Sequence, residues 1–343
     1  MVEIHLITDY QGRFGTKYTA VPYRSGMNKE LLKDKFLAYG FEAIFIKASE
    51  VQNIDGQIKN QIFLYTSSED RNHHYKSFIE DVVLTLECRS AVIVPAYRFL
   101  RAHNNKVLVE LLRKEWGKAV GDNLKSNCYG CIEDLVKSDG LMKFPVVVKK
   151  PEGYKSREVY LARSREELHH KASIISRSMN FKDWIKDRLR EFIHKGFIRE
   201  SQHRKKLVIQ EFIPGLENDW KVLVFGDKYY PLLRKTRKND FRASGSGLLS
   251  FPRELPDGLL DLTESIVKYF NVPQLSADVA FDGNCFYIFE LQFVYFGTYT
   301  IEHSQFYFTK EEGMWLIKEE LSVLEEEYAA SISSYLRRNN LIL

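Results

Sequence analysis

The sequence predicts an α/β layer at the N-terminal end of the chain, followed by an α+β arrangement of antiparallel sheets and helices. Over the first hundred residues, strand-like and helix-like apolar runs alternate, which is the pattern of parallel strands joined by helices. From Phe144 onwards, strand-like runs are joined by short polar turns, which is typical of antiparallel pairs. The 343 residues, of which 44% are hydrophobic and 28% charged, exclude a disordered, collagenous or disulfide-stapled chain and suffice for several cores.

The N-terminal layer is predicted from short apolar runs that alternate with amphipathic stretches. Leu31, Leu32 and Phe36 recur at helical spacing, whereas the flanking runs are short and rich in isoleucine. Because strands that alternate with helices usually pair in parallel, we expect one parallel sheet. The expected strands are residues 4–8, 41–46, 61–65 and 91–94, and the expected helices are 29–39, 75–87 and 104–116, the last with Val107, Leu108, Leu111 and Leu112 on its apolar face.

Turns that contain glycine predict two β-hairpins in the second half of the chain. Each turn separates two apolar runs of strand length, and Gly-Asp and Asp-Gly-Asn readily adopt the backbone angles of tight turns. Further strands are expected around the loop that follows Phe144, and the last segment has the spacing of a long amphipathic helix. The hairpins pair 222–225 with 229–233 and 275–281 with 286–291, the other strands are 145–148, 159–161 and 207–212, and the helix is marked by Met314, Ile317, Leu321, Leu324 and Tyr328.

A basic segment at residues 169–206 is predicted to be a helical insertion. Apolar residues recur there at helical spacing, so we expect a packed apolar face opposite a basic face. The basic face has two interpretations, a solvated surface or a platform for an anionic substrate or a phosphate backbone. The apolar residues are Phe181, Trp184, Ile185, Leu189, Phe192 and Ile193, and the basic ones include Lys182, Lys186, Arg188, Arg190, Lys195 and Arg199.

Charge, hydropathy and cysteine content limit the class of protein. The 50 Lys and Arg against 46 Asp and Glu leave a net charge of +4, which does not by itself indicate nucleic-acid binding. No run of about 18 apolar residues occurs, and the first residues lack the basic and apolar pattern of a secretion signal. We therefore expect a cytoplasmic protein without a membrane span, whose four cysteines are reduced. Cys128 and Cys131 lack a second pair of zinc ligands, so ordinary packing is favoured for them.

Two strand ends carry polar residues that suit a nucleotide. Lys149 ends an apolar strand four residues before Gly153, so its ammonium and the loop amides would reach the same phosphate. Gln210 and Glu211 lie where another strand enters a bend, and their side chains would suit the edge of an adenine. Ordinary strand ends explain both patterns as well, so neither pattern predicts a nucleotide site by itself.

A cluster of cations precedes a flexible loop at residues 234–247. Arg234, Arg237 and Arg242 offer planar guanidinium groups to oxyanions, and Gly245 and Gly247 let the backbone approach a ligand closely. The segment therefore predicts a surface that binds phosphate or carboxylate groups.

Asp278, Glu290 and Gln292 predict a site for Mg²⁺. Asp278 and Glu290 lie on the two strands of the second hairpin, and Glu290 and Gln292 point to one face because side chains alternate along a strand. Carboxylate and amide oxygens are the ligands of the Mg²⁺ ions that bind ATP phosphates. A carboxylate among phenylalanines also needs a partner, so metal ligation is favoured over a structural role.

These elements, in this order and spacing, resemble the ATP-grasp superfamily, particularly the branch that includes the ribosomal-protein glutamyl ligase and glutathione synthetase. The resemblance covers residues 104–305 and implies two lobes that clasp ATP, preceded by an α/β domain. It implies an N-terminal domain at 1–103, a first lobe at 104–206 that contains the lid loop and the basic insertion, and a second lobe at 207–343 with the metal site.

Residue by residue, the resemblance implies a nucleotide site, a metal site and a set of catalytic cations. Some positions depart from the family pattern, since Gln292 replaces an Asn, Lys221 an Arg, Ser244 an Asn, and Ser156 and Glu158 replace lid glycines. The implied ATP-binding residues are Lys106, Lys149, Glu152, Gly153, Ser156, Gln210, Glu211, Phe212, Ile213 and Asp219, the metal ligands are Asp278, Glu290 and Gln292, and the catalytic cations are Lys149, Arg234 and Arg242.

The activity implied by this resemblance is ATP-dependent ligation of a carboxylate to an amine or similar nucleophile through an acylphosphate. ATP and two Mg²⁺ ions would be the cofactors, and an anionic small molecule or peptide the substrate. A kinase that acts on a hydroxyl group, and a nucleotide-binding protein that has lost turnover, stay open because they would use the same phosphate and metal residues. A nucleic-acid partner is not favoured, and the sequence does not predict the oligomeric state.

Overall fold

The N-terminal layer is a parallel sheet flanked by helices, as the alternating pattern predicts. The computed structural model describes residues 1–54, 56, 58–152, 158–238 and 240–342. The strands pair in the order β2, β1, β3, β4, and the side chain of Asn28 caps the first helix by accepting from two backbone N–H groups. The elements are β1 (Val2–Thr8), α1 (Lys29–Ala38), β2 (Phe41–Lys47), β3 (Ile62–Tyr65), α2 (His74–Cys88) and β4 (Val92–Val94).

Two helices follow, α3 (Tyr97–Ala102), which the sequence pattern did not reveal, and α4 (Lys106–Val120). The predicted apolar face of α4 is wrong, because Leu111 and Leu112 are 61% and 45% exposed. The helix instead buries Trp116 together with Glu110 and Arg113, whose ion pair has a Nε to Oε2 distance of 2.5 Å. A buried charge is stable only when it is paired. The ion pair between Glu110 and Arg113 therefore explains why charged residues can lie on the buried face of this helix.

The middle of the chain forms an antiparallel sheet in the order β5, β8, β6, β7. Its core contains Leu135, Val148 and Leu168. Cys128, on β5, and Cys131 are free thiols, and burial raises the pKa of Cys128 to about 12. The elements are β5 (Ser126–Tyr129), α5 (Ile132–Ser138), β6 (Val146–Lys149), β7 (Val159–Ala162), α6 (Arg165–Ser176), α7 (Phe181–Ile193) and β8 (Leu207–Glu211).

The basic insertion is helical over α6 and α7, but the expected packed face of α7 is wrong. Phe181, Leu189 and Phe192 are 68%, 55% and 91% exposed. Asp187 is the buried residue of this helix, so its apolar stripe faces solvent. Helical periodicity identifies an amphipathic helix, but it does not say whether the rest of the fold supplies a surface that covers the apolar side.

The second half is built on a large antiparallel sheet in the order β13, β12, β9, β10, β14, β15, with β11 paired to β10. Both predicted hairpins are present, and their turns lie at Gly226-Asp227 and at 282–285. The elements are β9 (Asn218–Phe225), β10 (Lys228–Lys235), β11 (Leu249–Ser250), α8 (Leu259–Phe270), β12 (Gln274–Phe281), β13 (Phe286–Gln292), α9 (Tyr299–His303), β14 (Tyr307–Glu311), β15 (Met314–Lys318) and α10 (Leu324–Arg338).

The predicted C-terminal helix is wrong over its first half. Residues 314–318 are a strand, which pairs with β14 across a turn at Glu312 and Gly313, and the helix begins only at Leu324. Both turn residues have positive φ, 49° and 82°, as a two-residue turn with right-handed strand twist requires. Residues 314–317 are a short continuous apolar run, and periodicity alone does not distinguish a strand from a helix in a run of this length.

The N-terminal layer packs directly on the large sheet. One hydrophobic core joins Ile7 and Phe63 of the layer to Val222 and Leu275 of the sheet, and a second core joins Phe36 to the C-terminal helix α10. The loop after β1 adds polar links, since Lys17 lies 2.7 Å from the buried carboxylate of Glu325. No helix among the described residues has both the length and the apolarity needed to cross a bilayer.

Candidate functional site

A cavity of about 160 Å³ lies between the middle sheet and the large sheet. The strand ends of both sheets, the N-terminus of α4 and the segment after β10 meet there. The sequence-predicted residues that line it are Lys106, Lys149, Glu152, Gln210, Glu211, Phe212, Ile213, Asp219, Arg242, Asp278 and Glu290. Gly153 and Ser156 lie outside the described residues.

Lys149 ends β6 and presents its ammonium to this cavity. Its Nζ lies 5.5 Å from the centre of the Phe289 ring, which is cation–π range. Desolvation at the cavity wall lowers the pKa of Lys149 to about 8, although the carboxylates of Glu110 and Glu290 act to raise it. The cavity therefore holds an ammonium that gains free energy when an anion binds beside it.

Lys106 is the first residue of α4 and faces the same cavity. Its Nζ lies 3.1 Å from Oε1 of Glu290, and its side chain is 17% exposed. Its backbone N–H donates to the carbonyl of Pro151, which ties the start of the helix to the segment after β6. Lys106 and Lys149 thus stand on two different elements on either side of the Glu290 carboxylate.

The end of β8 supplies Gln210 and Glu211, both held by hydrogen bonds. Nε2 of the buried Gln210 donates to Oε1 of Glu110 at 3.0 Å. Oε1 of Glu211 accepts from the backbone N–H of Lys125 at 2.7 Å, and the Glu211 N–H donates to the Lys125 carbonyl. These bonds fix the strand exit, so that Phe212 and Ile213 line the cavity beyond it.

Glu110 is a buried carboxylate behind this site that the sequence analysis missed. It is buried on α4 and also accepts from Nε and Nη2 of Arg113, at 2.5 and 2.7 Å, and from the Ser126 hydroxyl. Glu110 therefore links α4 to β5 and to Gln210 at the wall of the cavity. The Glu-x-x-Arg spacing on a helix was the available signal, since residues three apart lie on one face.

Asp278 and Glu290 face each other across β12 and β13. The strand register changes beside them, because Asp278 pairs with Glu290 while Val279 pairs with Ile288. Phe289 is therefore the extra residue of a β-bulge, which lets the consecutive residues Phe289 and Glu290 both line the cavity. Strict alternation would have placed one of the two on the opposite face of the sheet.

Asp278 is surrounded by cations on one side. Its Oδ2 lies 2.8 Å from Nη2 of Arg234, and its Oδ1 lies 3.6 Å from Nζ of Lys221. Burial acts to raise the pKa of Asp278, but Arg234 and Lys221 reverse this effect, so the pKa is lowered. Asp278 is thus held as a carboxylate, and its buried Oδ1 makes no hydrogen bond to any described residue.

The donor set around Asp278 fits a divalent cation. Asp278 and Glu290 are carboxylates on adjacent strands, and Gln292 lies two residues from Glu290 at a second cavity that Glu290 also lines. Oxygen ligands of this kind suit Mg²⁺, and Oδ1 of Asp278 accepts no hydrogen bond from a described residue. No cluster of three or more His, Cys, Asp or Glu side chains that could hold a metal ion occurs among the described residues.

Arg234 lies behind the cavity wall rather than in the cavity. It is 6% exposed, and its Nε and Nη2 donate to the two carboxylate oxygens of Asp219 at 2.6 and 2.8 Å. Burial raises the pKa of Asp219, and Arg234 opposes this effect. The Arg234 guanidinium contacts both Asp219 and Asp278, so it orients the Asp278 carboxylate. In this position it does not make the expected contact with a substrate carboxylate.

Arg242 and Glu158 lie at the open side of the cavity. Arg242 lines the cavity and pairs with Asp240, its Nε lying 2.9 Å from Oδ1. Glu158, which stands where the related family has a glycine, pairs with Lys150 at 2.9 Å. The Glu158 carboxylate is therefore neutralised by a neighbour on the adjoining strand end.

The fold is shared with several solved structures, although sequence comparisons find no relative. No protein-family model matches the sequence, and neither does any curated protein. D-cycloserine synthetase DcsG is similar in structure, with a TM-score of 0.54 at 8% identity over 97% of this chain and 99% of that one.

Two further similar structures are complexes with precursors. Macrocyclase MdnC from Microcystis aeruginosa MRC, bound with precursor peptide MdnA, has a TM-score of 0.51 at 11% identity and covers 98% of this chain and 100% of its own. ATP-grasp ligase PsnB complexed with a minimal precursor has a TM-score of 0.50 at 13% identity, covering 97% and 99%. At such low identities the similarity concerns the fold alone.

Proposed function

We propose that this chain, which has the ATP-grasp fold, is an ATP-dependent ligase that joins a carboxylate to an amine through an acylphosphate. The observation that carries the proposal is the meeting of three cations, Lys106, Lys149 and Arg242, with the carboxylates of Asp278 and Glu290 at one cavity. A nucleoside triphosphate needs cations beside its phosphates and carboxylates that hold its metal ions, and this cavity supplies both kinds of group.

The nucleotide would lie along the cavity with its base at the end of β8. The backbone of Phe212 and Ile213 and the fixed side chains of Gln210 and Glu211 supply donors and acceptors for the edge of an adenine. The phosphates would then reach Lys149 and Lys106, the lysines that stand on either side of Glu290. In this position the depressed pKa of Lys149 favours binding, because the phosphates replace the water that the ammonium has lost.

Asp278, Glu290 and Gln292 are the residues that would hold Mg²⁺, with two ions expected from the family resemblance. The ions, when bound, neutralise phosphate charge. Arg234 keeps Asp278 ionised and fixed, so that its Oδ1 stays directed away from the guanidinium. Lys106 is close enough to Glu290 to compensate its charge when no cation is bound.

The reaction takes place in two transfers. An oxygen of the substrate carboxylate attacks the γ-phosphorus, the bond from that phosphorus to the bridging oxygen breaks, and ADP leaves. The amine nitrogen then attacks the acyl carbon, a C–N bond forms, the C–O bond to phosphate breaks, and inorganic phosphate leaves while the amine loses a proton to solvent. Lys106, Lys149 and Arg242 stabilise the charge that develops on the transferred group.

The substrate that carries the carboxylate is proposed to be anionic. A groove open to solvent adjoins the cavity and shares Phe241 with it. Three cations and two carboxylates line the groove, namely Lys235, Arg237 and Lys238 with Glu217 and Asp240, so the cations are in excess. Small anionic molecules and acidic peptides both fit such a surface.

Phosphorus NMR of the purified protein with Mg²⁺-ATP and a desalted small-molecule extract tests this function. ADP with an equal amount of inorganic phosphate, formed only with the extract, is the expected result. ADP with a new phosphomonoester signal would instead identify a kinase and would refute the ligase. ATP that binds but is not consumed by any extract fraction would indicate a protein without turnover.

Replacing Glu290 tests the metal site within the same assay. We expect Glu290→Ala to reduce extract-dependent ADP formation by at least about 100-fold, because removal of a metal ligand typically costs that much or more. The exposed Glu254→Ala variant is the matched control and should be unchanged. Normal turnover by Glu290→Ala at saturating Mg²⁺ would contradict the assignment.

A further inference from the structure

The helix α7 presents a row of apolar side chains to solvent. Phe181, Ile185 and Leu189 recur every four residues, and Phe192 follows three residues later, so the four side chains lie on one face of the helix. All four are exposed. Single exposed apolar residues are ordinary on a protein surface, but a contiguous row of them marks a surface that contacts an apolar partner.

The row protrudes from the protein. Phe181 and Phe192, at its two ends, are 68% and 91% exposed, so few atoms of the chain cover their rings. A folded protein partner would need a pocket of matching shape for each ring, because protein interfaces are close-packed. The acyl chains of a lipid bilayer adapt to any shape, and a protruding apolar row is typical of helices that lie in a membrane surface.

The charged residues of α7 are divided between two sides. Asp183, Asp187 and Glu191 each follow a residue of the row by two positions, a rotation of about 200°, which places them on the opposite side of the helix. Lys182 and Lys186 follow by one position, a rotation of about 100°, which places them along one flank of the row. The carboxylates are therefore kept away from the apolar row, whereas the ammonium groups border it.

The acidic side attaches α7 to the rest of the chain. Asp187 is the buried residue of the helix, and Glu191 holds the following segment through Arg199, whose Nε lies 3.1 Å from Oε2 of Glu191. The side chain of Asn180 accepts a hydrogen bond from the backbone N–H of Asp183 at 2.9 Å, which caps the start of the helix. The orientation of α7 is thus fixed with its row and its flanking cations outwards.

The cations beside the row are accessible to an anionic partner. Lys182, Lys186 and Arg188 are exposed, and Arg188 lies on the other flank of the row. The ion pairs that Lys186 and Arg188 make within the helix have N to O distances of 3.8 and 3.6 Å, and such exposed pairs contribute little. Residues 169–206 as a whole contain eleven Lys and Arg against four Asp and Glu, so this surface is complementary in charge to an anionic one.

We propose that α7 binds the surface of an anionic lipid bilayer, with its axis in the plane of the membrane. The rings of Phe181 and Phe192 insert between the lipid head groups, and the flanking cations contact the lipid phosphates. An aromatic and aliphatic row bordered by Lys and Arg is the combination that such interfacial helices share. The contact is confined to the surface, since no described helix has the length and apolarity to cross a bilayer. It is an attachment that the proposed ligase function does not require.

Flotation of the full chain with lipid vesicles tests this proposal. One set of vesicles is phosphatidylcholine, and the other also contains about 30% phosphatidylglycerol, which is anionic. We expect the protein to bind the anionic vesicles at least about tenfold more tightly than the neutral ones, because uncompensated lipid phosphates attract the cations beside the row. Raising the salt concentration from about 0.1 to 0.5 M NaCl should weaken this binding roughly tenfold.

Two double variants separate the contributions of the row and of the cations. Phe181→Ser with Phe192→Ser should weaken binding to anionic vesicles by about 30-fold or more, because two rings no longer leave water. Lys182→Gln with Lys186→Gln should weaken it about tenfold and should not change binding to neutral vesicles. Leu111→Ser, which removes an exposed apolar residue from α4, is the control and should bind like the wild type. All variants should keep the wild-type melting temperature, since the replaced residues are exposed.

The depth of the helix and the association state distinguish a bilayer from a protein partner. Lipids brominated on their acyl chains should quench the indole of the Phe192→Trp variant when it binds, and binding without this quenching would contradict insertion. An absence of flotation with anionic vesicles would overturn the proposal, as would equal binding to both vesicle types or an equal loss of binding in the Leu111→Ser control. A wild-type oligomer in lipid-free solution that the two Phe→Ser substitutions dissociate would identify the row as a contact between copies of this chain, and would overturn the proposal too. None of these outcomes depends on whether the chain is a ligase.

Discussion

Lys149 lines the cavity in an electrostatic environment that disfavours its charged form. Its ammonium gives up water at the cavity wall, and the nearby carboxylates compensate only in part, so its pKa falls to about 8. A phosphate beside it restores the missing stabilisation of the charged form. The affinity for ATP should therefore depend on whether Lys149 is protonated before the nucleotide binds.

This dependence gives a pH prediction. Below pH 8 Lys149 is mostly charged, and above pH 8 the free protein must take up a proton to bind phosphate, so affinity should fall as pH rises. We expect the Kd for Mg²⁺-ATP to increase roughly tenfold between pH 7 and pH 9. Calorimetric titration at both pH values measures this change.

Lys149→Arg is the control for this experiment. The guanidinium stays charged throughout this range, so the Kd of the variant should change little between the two pH values. A wild-type Kd that is constant from pH 7 to pH 9 would show that Lys149 does not titrate on binding.

Asp278 shows how residues behind the cavity wall orient a side chain that lines the cavity. Arg234 binds Oδ2 and Asp219 fixes Arg234, while Oδ1 accepts no hydrogen bond from a described residue and lies 3.6 Å from the Lys221 ammonium. The sequence predicted Arg234 as a group that contacts substrate, because an arginine in a basic cluster is a typical oxyanion ligand. The structure instead places it one layer deeper, where a buried guanidinium is stable only with two carboxylates.

At the scale of elements, the β-bulge in β13 decides which side chains meet in the cavity. The extra residue Phe289 changes the alternation by one, so that an aromatic ring and the carboxylate of Glu290 share a face. Lys149 then contacts the ring while its charge is balanced by Glu290. Period-two alternation predicted the common face of Glu290 and Gln292, but it had no means of predicting the bulge.

The exposed apolar stripe of α7 leads to a stability prediction. Phe192 is 91% exposed, so Phe192→Ser should change the free energy of unfolding by no more than about 0.5 kcal/mol. Leu168 on the neighbouring helix α6 is fully buried, so Leu168→Ala should destabilise the protein by roughly 2–5 kcal/mol. Urea denaturation of both variants measures the difference. A large loss of stability in Phe192→Ser would mean that the stripe is covered.

At the scale of the whole molecule, the cavity lies between the middle sheet and the large sheet, at the N-terminus of α4. The N-terminal layer shares its cores with the large sheet, and α4 connects this body to the middle sheet through Glu110 and Arg113. Arg113 also donates to the carbonyl of Ile288 on β13. The strand ends that carry Lys149, Gln210 and Glu290 are therefore positioned by one connected network rather than by separate loops.

The charge of this region predicts a salt effect on the substrate. Lys235, Arg237 and Lys238 line the open groove beside the cavity, so an anionic substrate should bind more weakly as salt screens them. We expect the extract concentration that gives half-maximal ADP formation to rise about three-fold or more between 0.05 and 0.5 M NaCl.

The double variant Lys235→Gln and Lys238→Gln tests whether the groove causes this effect. Its substrate affinity should be weaker at low salt and should depend less on salt than that of the wild type. Half-saturation that does not change with salt in the wild-type protein would exclude the groove as the binding surface for an anion.

The sequence by itself determined the class of the fold, the two central hairpins and most of the charged residues that line the cavity. Those features depend on local periodicity, on turn residues such as Gly226, and on strand ends such as Lys149. Each of these signals can be recognised from a few neighbouring residues. Residues that lie in the cavity because a strand ends there were accordingly predictable.

Only the tertiary structure decided which faces are covered and which charges are paired. Leu111 and Phe192 have the spacing of buried residues but face solvent. Glu110 and Arg113 are buried because Gln210 and Ile288 arrive from distant parts of the chain. The strand at residues 314–318 likewise exists because β14 pairs with it. Burial and ion pairing are properties of partners far apart in sequence, and a local pattern contains no information about those partners.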